Sequence, residues 1–309
     1  MAEIRNEFSW SFTRAQAFAA CRRRYWFRYY AFWGGWSADA PELARKAYLF
    51  SKMGTLAMLV GKAVHETIAD VLRAIHARRE PHRPFDQVRT RMNDAWRASR
   101  EARWRQVGPK RAPPLFEHHY GVEVSARQIE ELREQALRCV RGFLEGELFR
   151  EIVRAGPASF RSIDALEVAA IDGIPCYVAP DFAFDRGEET WLVDWKTGGE
   201  RSEHELQLLA YAHFARQKWR LEPQRLRAFD AMLASGEVVE VPITAERLEG
   251  AAAAVRASAE AMRAALVDRE RNVARREALP PTTDPKECRR CFFQEICDER
   301  PSEPAAASG

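Results

Sequence analysis

The stretch from Ala179 to Gly198 reads A-P-D-F-A-F-D-R-G-E-E-T-W-L-V-D-W-K-T-G and predicts two short strands joined by a tight turn. Phe182 and Phe184 alternate with other residues in the first strand, and the second strand begins at Trp191. Between them, R-G-E at 186–188 has the composition of a turn. This predicted hairpin organises the rest of the chain, because it brings charged side chains to one place.

The second strand carries an acid and an amine on one face. Side chains alternate between the two faces of a strand, so Asp194 and Lys196 project together and Trp195 projects from the other side. Asp181 on the neighbouring strand is predicted to reach the same spot. Two carboxylates and one backbone carbonyl form a hard oxygen environment that suits Mg2+ or Mn2+. With a lysine nearby to orient water or take its proton, the pattern indicates phosphodiester hydrolysis, although Asp-x-Lys alone also fits an ordinary surface ion pair.

Composition sets the broad class of the protein. The 309 residues include 48 Lys and Arg against 45 Asp and Glu, and the net charge of +3 gives no global field for nucleic acid. No apolar run approaches the roughly 20 residues that span a bilayer, and the N-terminal M-A-E-I-R-N-E-F lacks a signal-peptide core, so no membrane partner and a cytoplasmic location are expected. Six cysteines in a reducing compartment favour metal or redox chemistry over disulfides.

Two predicted helices supply further polar side chains. His65 lies beside the apolar stripe of a helix predicted from Met53 to Arg78, where a lone histidine is usually structural but here is also a candidate fourth metal ligand. Gln207 and Tyr211 are four residues apart in a helix predicted from Ser202 to Trp219, so they share one face. There they could contact a phosphate or hold the attacking water; the alternative is a half-buried polar edge.

The remaining elements frame this site. Strands are predicted from Ile163 to Ile171 and from Cys176 to Phe184, separated by an Asp172-Gly173 turn, and a long helix is predicted from Thr244 to Glu277. The region 80–155 is predicted to be a helical insertion or cap, because prolines bound its helices and it offers no obvious chemistry. Its basic outer face is a hypothesis for DNA contact.

A helix predicted from Ser11 to Trp33 interleaves arginines with aromatic residues in C-R-R-R-Y-W-F-R-Y-Y. That pattern could form a stacking and phosphate-gripping surface for a single nucleic-acid strand. The alternative packs the aromatic rings in the core and directs the arginines outward.

Cysteines mark the C-terminal segment. Cys288-x2-Cys291-x5-Cys297 lies in a proline-rich tail, 280–300, where three thiols have no useful packing role, so a metal is expected. Zinc and a [4Fe-4S] cluster both take four ligands, and the local set lacks one. The candidates for the fourth are Cys21, Cys139 and Cys176. Residues 301–309 are rich in Pro, Ala and Ser and are predicted to be disordered.

The motifs occur together in a recognisable order. They are F-x-x-C-R-R-R-Y-W-F at the N-terminus, G-x-x-x-H, P-D-F, D-W-K, Q-x3-Y and C-x2-C-x5-C. The set resembles the iron-sulfur RecB-type nucleases of the PD-(D/E)XK superfamily, which include the nuclease domain of AddB and the CRISPR-associated iron-sulfur exonucleases. The resemblance runs from about Ser11 to Cys297, apart from 80–155.

This resemblance implies an α/β restriction-endonuclease-like core, a mostly parallel or mixed central sheet flanked by helices, with an iron-sulfur-stapled C-terminal tail. The helical insertion predicted over 80–155 is added to that core. The resemblance implies that the [4Fe-4S] ligands are Cys21, Cys288, Cys291 and Cys297. It implies that the ligands of a catalytic Mn2+ or Mg2+ are His65, Asp181, Asp194 and the carbonyl of Trp195. Lys196 would then assist the water, and Gln207 with Tyr211 would form an auxiliary motif.

The expected function is that of a metal-dependent DNA nuclease with a single nuclease domain over 1–300. By resemblance it is an exonuclease on single-stranded DNA or DNA ends, in recombination, repair or CRISPR adaptation, with a possible helicase or CRISPR integration partner. One alternative is a non-catalytic iron-sulfur DNA-binding subunit of a helicase-nuclease or integration complex. Another is a zinc-stapled domain with no nuclease role.

Overall fold

The computed structural model describes residues 5–198 and 205–299, and the chain divides into two compact units. Unit 1 comprises the described parts of Met1–Gly54, Ala98–Val122 and Arg256–Gly309. Unit 2 comprises those of Thr55–Arg97 and Glu123–Val255. The expected disordered tail, 301–309, and the start of the helix predicted from Ser202 lie outside the described residues. A single nuclease domain over 1–300 stays a prediction.

Helices form nearly half of the described residues. In order they are α1 (Phe12–Ala20), α2 (Arg22–Trp26), α3 (Glu42–Ser51), α4 (Leu56–His76), α5 (Pro84–Arg100), α6 (Trp104–Val107), α7 (Phe116–His119), α8 (Ala126–Glu145), α9 (Glu147–Ala155), α10 (Glu205–Trp219), α11 (Ala245–Ala264) and α12 (Pro285–Arg289). A π-helical turn, Phe27–Ala31, continues α2. Cys21, in extended conformation, separates α1 from α2 and accepts a capping hydrogen bond from the Arg24 N–H. The predicted long helix from Ser11 is therefore interrupted at this cysteine.

The strands are β1 (Phe160–Ile163), β2 (Glu167–Ile171), β3 (Ile174–Val178), β4 (Phe182–Arg186), β5 (Glu189–Lys196), β6 (Leu226–Met232), β7 (Glu237–Val241), β8 (Leu266–Asp268) and β9 (Val273–Ala274). The central sheet of unit 2 has the order β1-β4-β5-β6-β7. β5 pairs with β6 in parallel, whereas β1-β4, β4-β5 and β6-β7 are antiparallel. The predicted mixed sheet is therefore present, and the organising hairpin at 179–198 forms its β4-β5 pair.

Two predicted strands are each divided in the structure. Asp164, with φ of 47°, separates β1 from β2, and Pro180, which has no backbone N–H to donate, lies between β3 and β4. β2 and β3 form a separate hairpin across Asp172 and Gly173, whose φ angles of 48° and 74° suit a mirror-image turn. The helix predicted from Thr244 to Glu277 was too long, because the chain forms the β8-β9 hairpin after α11.

The core of unit 2 fixes the orientation of β5. Val193 and Trp195 point into a cluster that includes Phe182 and Phe184 from the sheet and buried side chains of α4 and α8. Because side chains alternate, Asp194 and Lys196 face the other side of the sheet, against which α10 packs. The α/β arrangement with helices on both faces confirms the expected class and is consistent with a restriction-endonuclease-like core.

Part of the predicted insertion belongs to this core. Val140 and Phe143 of α8 are buried against the sheet, and the Phe143 ring meets the Trp195 ring edge to face at 5.3 Å between centroids. That 80–155 is an insertion into the nuclease core stays a prediction. So does the contact of its basic face with DNA. None of the described helices is long and apolar enough to cross a bilayer.

Candidate active site and cysteine cavity

The end of β5 holds a buried acid beside a lysine. Asp194 is 4% exposed, and its Oδ2 lies 2.5 Å from Nζ of Lys196. The same ammonium lies 3.5 Å from Oδ1 of Asp230 on β6. This lysine is therefore held in place by two carboxylates.

Asp181 joins the site from the start of β4. Its Oδ2 accepts a 2.7 Å hydrogen bond from the backbone N–H of Trp195, and its Oδ1 lies 3.1 Å from Nδ1 of His65 on α4. The predicted neighbours His65, Asp181, Asp194 and Lys196 thus come together. Their roles in binding and catalysis stay predictions.

Burial and neighbouring charges shift the pKa values of Asp181 and His65. Burial raises the pKa of Asp181, and the nearby charge of Asp194 raises it further, while the hydrogen bond from His65 opposes both effects. Burial alone would lower the pKa of His65, but the hydrogen bond and charge of Asp181 outweigh it and raise that pKa. Two buried carboxylates that repel each other are stabilised by a cation between them.

A polar chain extends from Asp194 to α10. Nε2 of Gln207 donates a 2.6 Å hydrogen bond to the hydroxyl of Tyr211, which donates in turn to Oδ1 of Asp194 at 3.1 Å. Burial and the charge of Asp194 raise the pKa of Tyr211 well above its ordinary value, so the hydroxyl keeps its proton. The Q-x3-Y spacing predicted that Gln207 and Tyr211 share one face of the helix. From that face they form a hydrogen-bonded chain to Asp194.

Backbone contacts hold the end of β5. The carbonyl of Lys196 accepts a 2.9 Å hydrogen bond from the Leu233 N–H, and the carbonyl of Thr197 accepts one of 2.8 Å from Nε2 of Gln135 on α8. These contacts limit movement of the lysine backbone, which is what a site that positions reacting groups needs.

Asp230 is the residue that sequence reasoning missed. It lies directly opposite Asp194 in the parallel β5-β6 pair. An acid in the otherwise apolar run A-F-D-A-M was the available signal. The pairing that brings it to Lys196 cannot be read from the sequence, because the two strands are separated by α10.

The donor chemistry of this site suits a hard divalent cation. Asp181 and Asp194 supply carboxylate oxygens, and the hydrogen bond between the Trp195 N–H and Asp181 brings the Trp195 backbone into the site. Over the described ranges, no three His, Cys, Asp or Glu side chains are arranged as a ready metal group. Oxygen atoms of the two acids are instead hydrogen-bonded or ion-paired to His65, Tyr211 and Lys196.

Four thiols line one small cavity in unit 1. They are Cys21, Cys288, Cys291 and Cys297. The side chains of Phe27 and Phe293 form apolar walls of the same cavity. The sulfur of Cys21 accepts hydrogen bonds of 3.4 Å from two backbone N–H groups, those of Arg24 and Thr282. Amide hydrogen bonds to sulfur stabilise thiolate ligands, so these groups suit a thiophilic metal or cluster.

The shared lining of the cavity brings these thiols near one another, and three of them also affect one another electrostatically. Burial raises the pKa of Cys291 to about 11, and the charges of Cys21 and Cys297 add to the increase. The other two candidates for a fourth ligand, Cys139 and Cys176, are buried in unit 2 and do not line the cavity.

The segment after α11 is fastened to α2 at this cavity. Arg23 is 2% exposed; its Nε donates to the carbonyl of Leu279 at 2.9 Å, and its guanidinium pairs with Glu299. The alternative that directs the arginines outward is therefore wrong for Arg23, because its side chain is buried and bonded to the C-terminal segment. Tyr25 and Phe27 are buried, as the core alternative expected.

The family model described as the PD-(D/E)XK nuclease superfamily matches residues 9–298. No curated protein matches the chain. The matched range contains both the acidic site and the four thiols of the cavity.

Proposed function

The chain belongs to the PD-(D/E)XK nuclease superfamily, and on that premise we propose that it is a metal-dependent deoxyribonuclease acting on single-stranded DNA or DNA ends. Members of this superfamily are nucleases that hydrolyse phosphodiester bonds, generally with a divalent metal such as Mg2+ or Mn2+. The observation that carries the proposal is the pair formed by the buried Asp194 and the largely buried Asp181, with the ammonium of Lys196 held against Asp194.

Each side chain has a role in this proposal. The metal would be held by His65, Asp181, Asp194 and the carbonyl of Trp195. When bound, it would stabilise negative charge on the phosphate and make a nucleophilic water available. Lys196 would hold that water, since its ammonium lies 2.5 Å from Asp194; to take the proton of the water it would first have to give up one of its own. The Gln207 and Tyr211 chain would fix the orientation of Asp194.

We assign the cysteine cavity to a structural [4Fe-4S] cluster held by its four thiols. Four thiolates are the usual ligand set of such a cluster, and the two N–H groups that donate to Cys21 support it. The cluster would reinforce the contacts that fasten Leu279 and Glu299 to Arg23. Zinc takes the same four ligands, so a zinc-stapled domain is the competing assignment.

The principal alternative is a non-catalytic DNA-binding subunit of a helicase-nuclease or integration complex. The hydrogen-bonded acids favour catalysis. Burying two carboxylates that repel each other costs free energy, and such pairs are concentrated at functional sites. Recombination, repair and CRISPR adaptation are the proposed settings, with a helicase or an integration complex as the partner.

Cleavage of end-labelled DNA tests the proposal. Protein purified without oxygen is incubated with single-stranded or duplex DNA labelled at either end, in Mn2+, in Mg2+ or in EDTA. We expect shortening that requires the metal, and the end whose label is lost gives the polarity. Intact DNA with both metals, from folded protein that retains its cluster, would favour the non-catalytic subunit. Iron and zinc analysis of the same preparation separates the two cofactor assignments.

A further inference from the structure

Unit 1 carries a cluster of aromatic side chains at its surface. Four rings contact one another, and none is buried: Phe32, Trp33, Trp36 and Tyr48. Trp36 is 46% exposed, although a tryptophan usually packs inside. Contiguous exposed apolar surface of this kind marks a binding site more often than a single exposed residue does.

A lysine lies over two of these rings. Nζ of Lys52, at the end of α3, is 5.3 Å from the ring centroid of Tyr48 and 5.8 Å from that of Phe32. These two rings stack at 13° to each other. We call the four rings and Lys52 the aromatic-basic patch.

The neighbouring charges that act on Lys52 are positive. Burial lowers the pKa of Lys52, and the positive charges of Arg28 and Lys110 lower it further. Within the described ranges, no carboxylate lies within ion-pair distance of Lys52, Arg28 or Lys110. Three cations that repel one another without a neighbouring acid would be stabilised by an anion.

Rings and cations together match one class of ligand. An unpaired nucleic-acid strand offers bases that stack on aromatic faces and phosphates that neutralise cations. A duplex keeps its bases stacked on one another and cannot use the rings in this way. We propose that the aromatic-basic patch binds an unpaired stretch of nucleic-acid strand.

A neighbouring cleft offers room for further contact. Trp33 also lines an open cleft of about 740 Å³, and Trp26 and Tyr30 line the same cleft. A volume of several hundred Å³ accommodates a ligand of nucleotide size. Trp33 therefore belongs both to the aromatic-basic patch and to the lining of this cleft.

The test measures nucleic-acid binding in EDTA, where metal-dependent cleavage does not occur. A dye-labelled oligonucleotide of roughly ten thymidines and a duplex of equal length are titrated with the whole protein in EDTA, and Kd is read from fluorescence anisotropy at several salt concentrations. Because no metal is present, this proposal stands or falls separately from the nuclease proposal. A protein that binds the strand but never cuts it would contradict only the latter.

Two variants separate stacking from charge. Trp36→Ala should weaken binding about 5- to 100-fold with little change in the salt dependence, and Trp36→Phe should recover much of the loss. Lys52→Gln should reduce the slope of log K against log salt by about 0.7, the value for one phosphate contact on a single strand. Lys46→Gln is the matched control, since Lys46 lies on the same helix but pairs with Glu42 and Glu295.

The outcomes are distinct. Selective loss of single-strand binding in the Trp36 and Lys52 variants, with unchanged unfolding temperatures, supports the proposal. Unchanged Kd in both variants, or a wild-type protein that prefers the duplex, overturns it and makes the rings a docking face for another protein.

Discussion

The hydroxyl of Tyr211 donates a hydrogen bond to Oδ1 of Asp194, and both residues are only 4% exposed. The other carboxylate oxygen, Oδ2, faces Lys196. The tyrosine and the lysine therefore contact different oxygen atoms of the same acid.

Tyr211→Phe should lower the rate of DNA cleavage about fivefold, because it removes one hydrogen bond worth roughly 1 kcal/mol and leaves Asp194 less well oriented. The loss should appear in kcat rather than in Kd for DNA. Tyr177→Phe is the control, since Tyr177 is 42% exposed on β3. Equal rates for wild type and the Tyr211 variant would remove this residue from the proposed site.

Asp230→Asn should also slow cleavage, by about tenfold, because the Lys196 ammonium loses one of its two carboxylate partners among the described residues. The metal concentration for half-maximal activity should stay unchanged, since Asp230 is not a proposed ligand. Rates measured across a metal titration check both statements. A large rise in the metal requirement would instead make Asp230 a ligand.

The cysteine assignment predicts that Cys291→Ser loses bound iron and brown colour, and unfolds at a lower temperature than wild type. The thermal effect follows because the tail would lose one of its attachments to α2. Cys176→Ser is the matched control, since this buried thiol does not line the cavity. Iron in the wild type near four atoms per chain is expected. A zinc-loaded, colourless wild type would contradict the cluster.

A glycine pair tests the packing of α8 on the sheet. A Cβ added to Gly142 would lie 1.9 Å from the carbonyl oxygen of Leu233, a backbone atom that cannot move aside freely. Gly142→Ala should therefore destabilise the fold by about 1–3 kcal/mol despite the better helix propensity of alanine. Gly250→Ala on α11 meets open space and should stabilise by up to about 1 kcal/mol. Denaturant unfolding measures both, and stabilisation of similar size in both variants would contradict the described packing.

Local pattern predicted the site well where a short stretch of chain determines the geometry. Alternation in β5 gave the shared direction of Asp194 and Lys196, and helical spacing gave the shared face of Gln207 and Tyr211. Contacts between strands that are distant in the sequence were harder to predict. The contact of Asp230 with Lys196 exists because β6 pairs with β5 in parallel.

Interruptions of elements were also hard to predict. The break at Cys21 divides a stretch with continuous helical pattern into α1 and α2, and its extended backbone is what directs the thiol into the cavity. The split at Asp164 needs a left-handed backbone that a run of strand-forming residues does not reveal. The motif order pointed to Cys21 by resemblance, whereas spacing alone left three candidate thiols.

Single-turnover cleavage by the Lys196→Ala variant tests the central claim most directly. Metal-dependent shortening of labelled single-stranded DNA is compared with that by wild type and by Lys218→Ala, a lysine on α10 that pairs with Glu167, and DNA binding is measured in EDTA. The account predicts a fall of about 100-fold or more for Lys196→Ala alone, with DNA binding retained. Cleavage by this variant at the wild-type rate would contradict it.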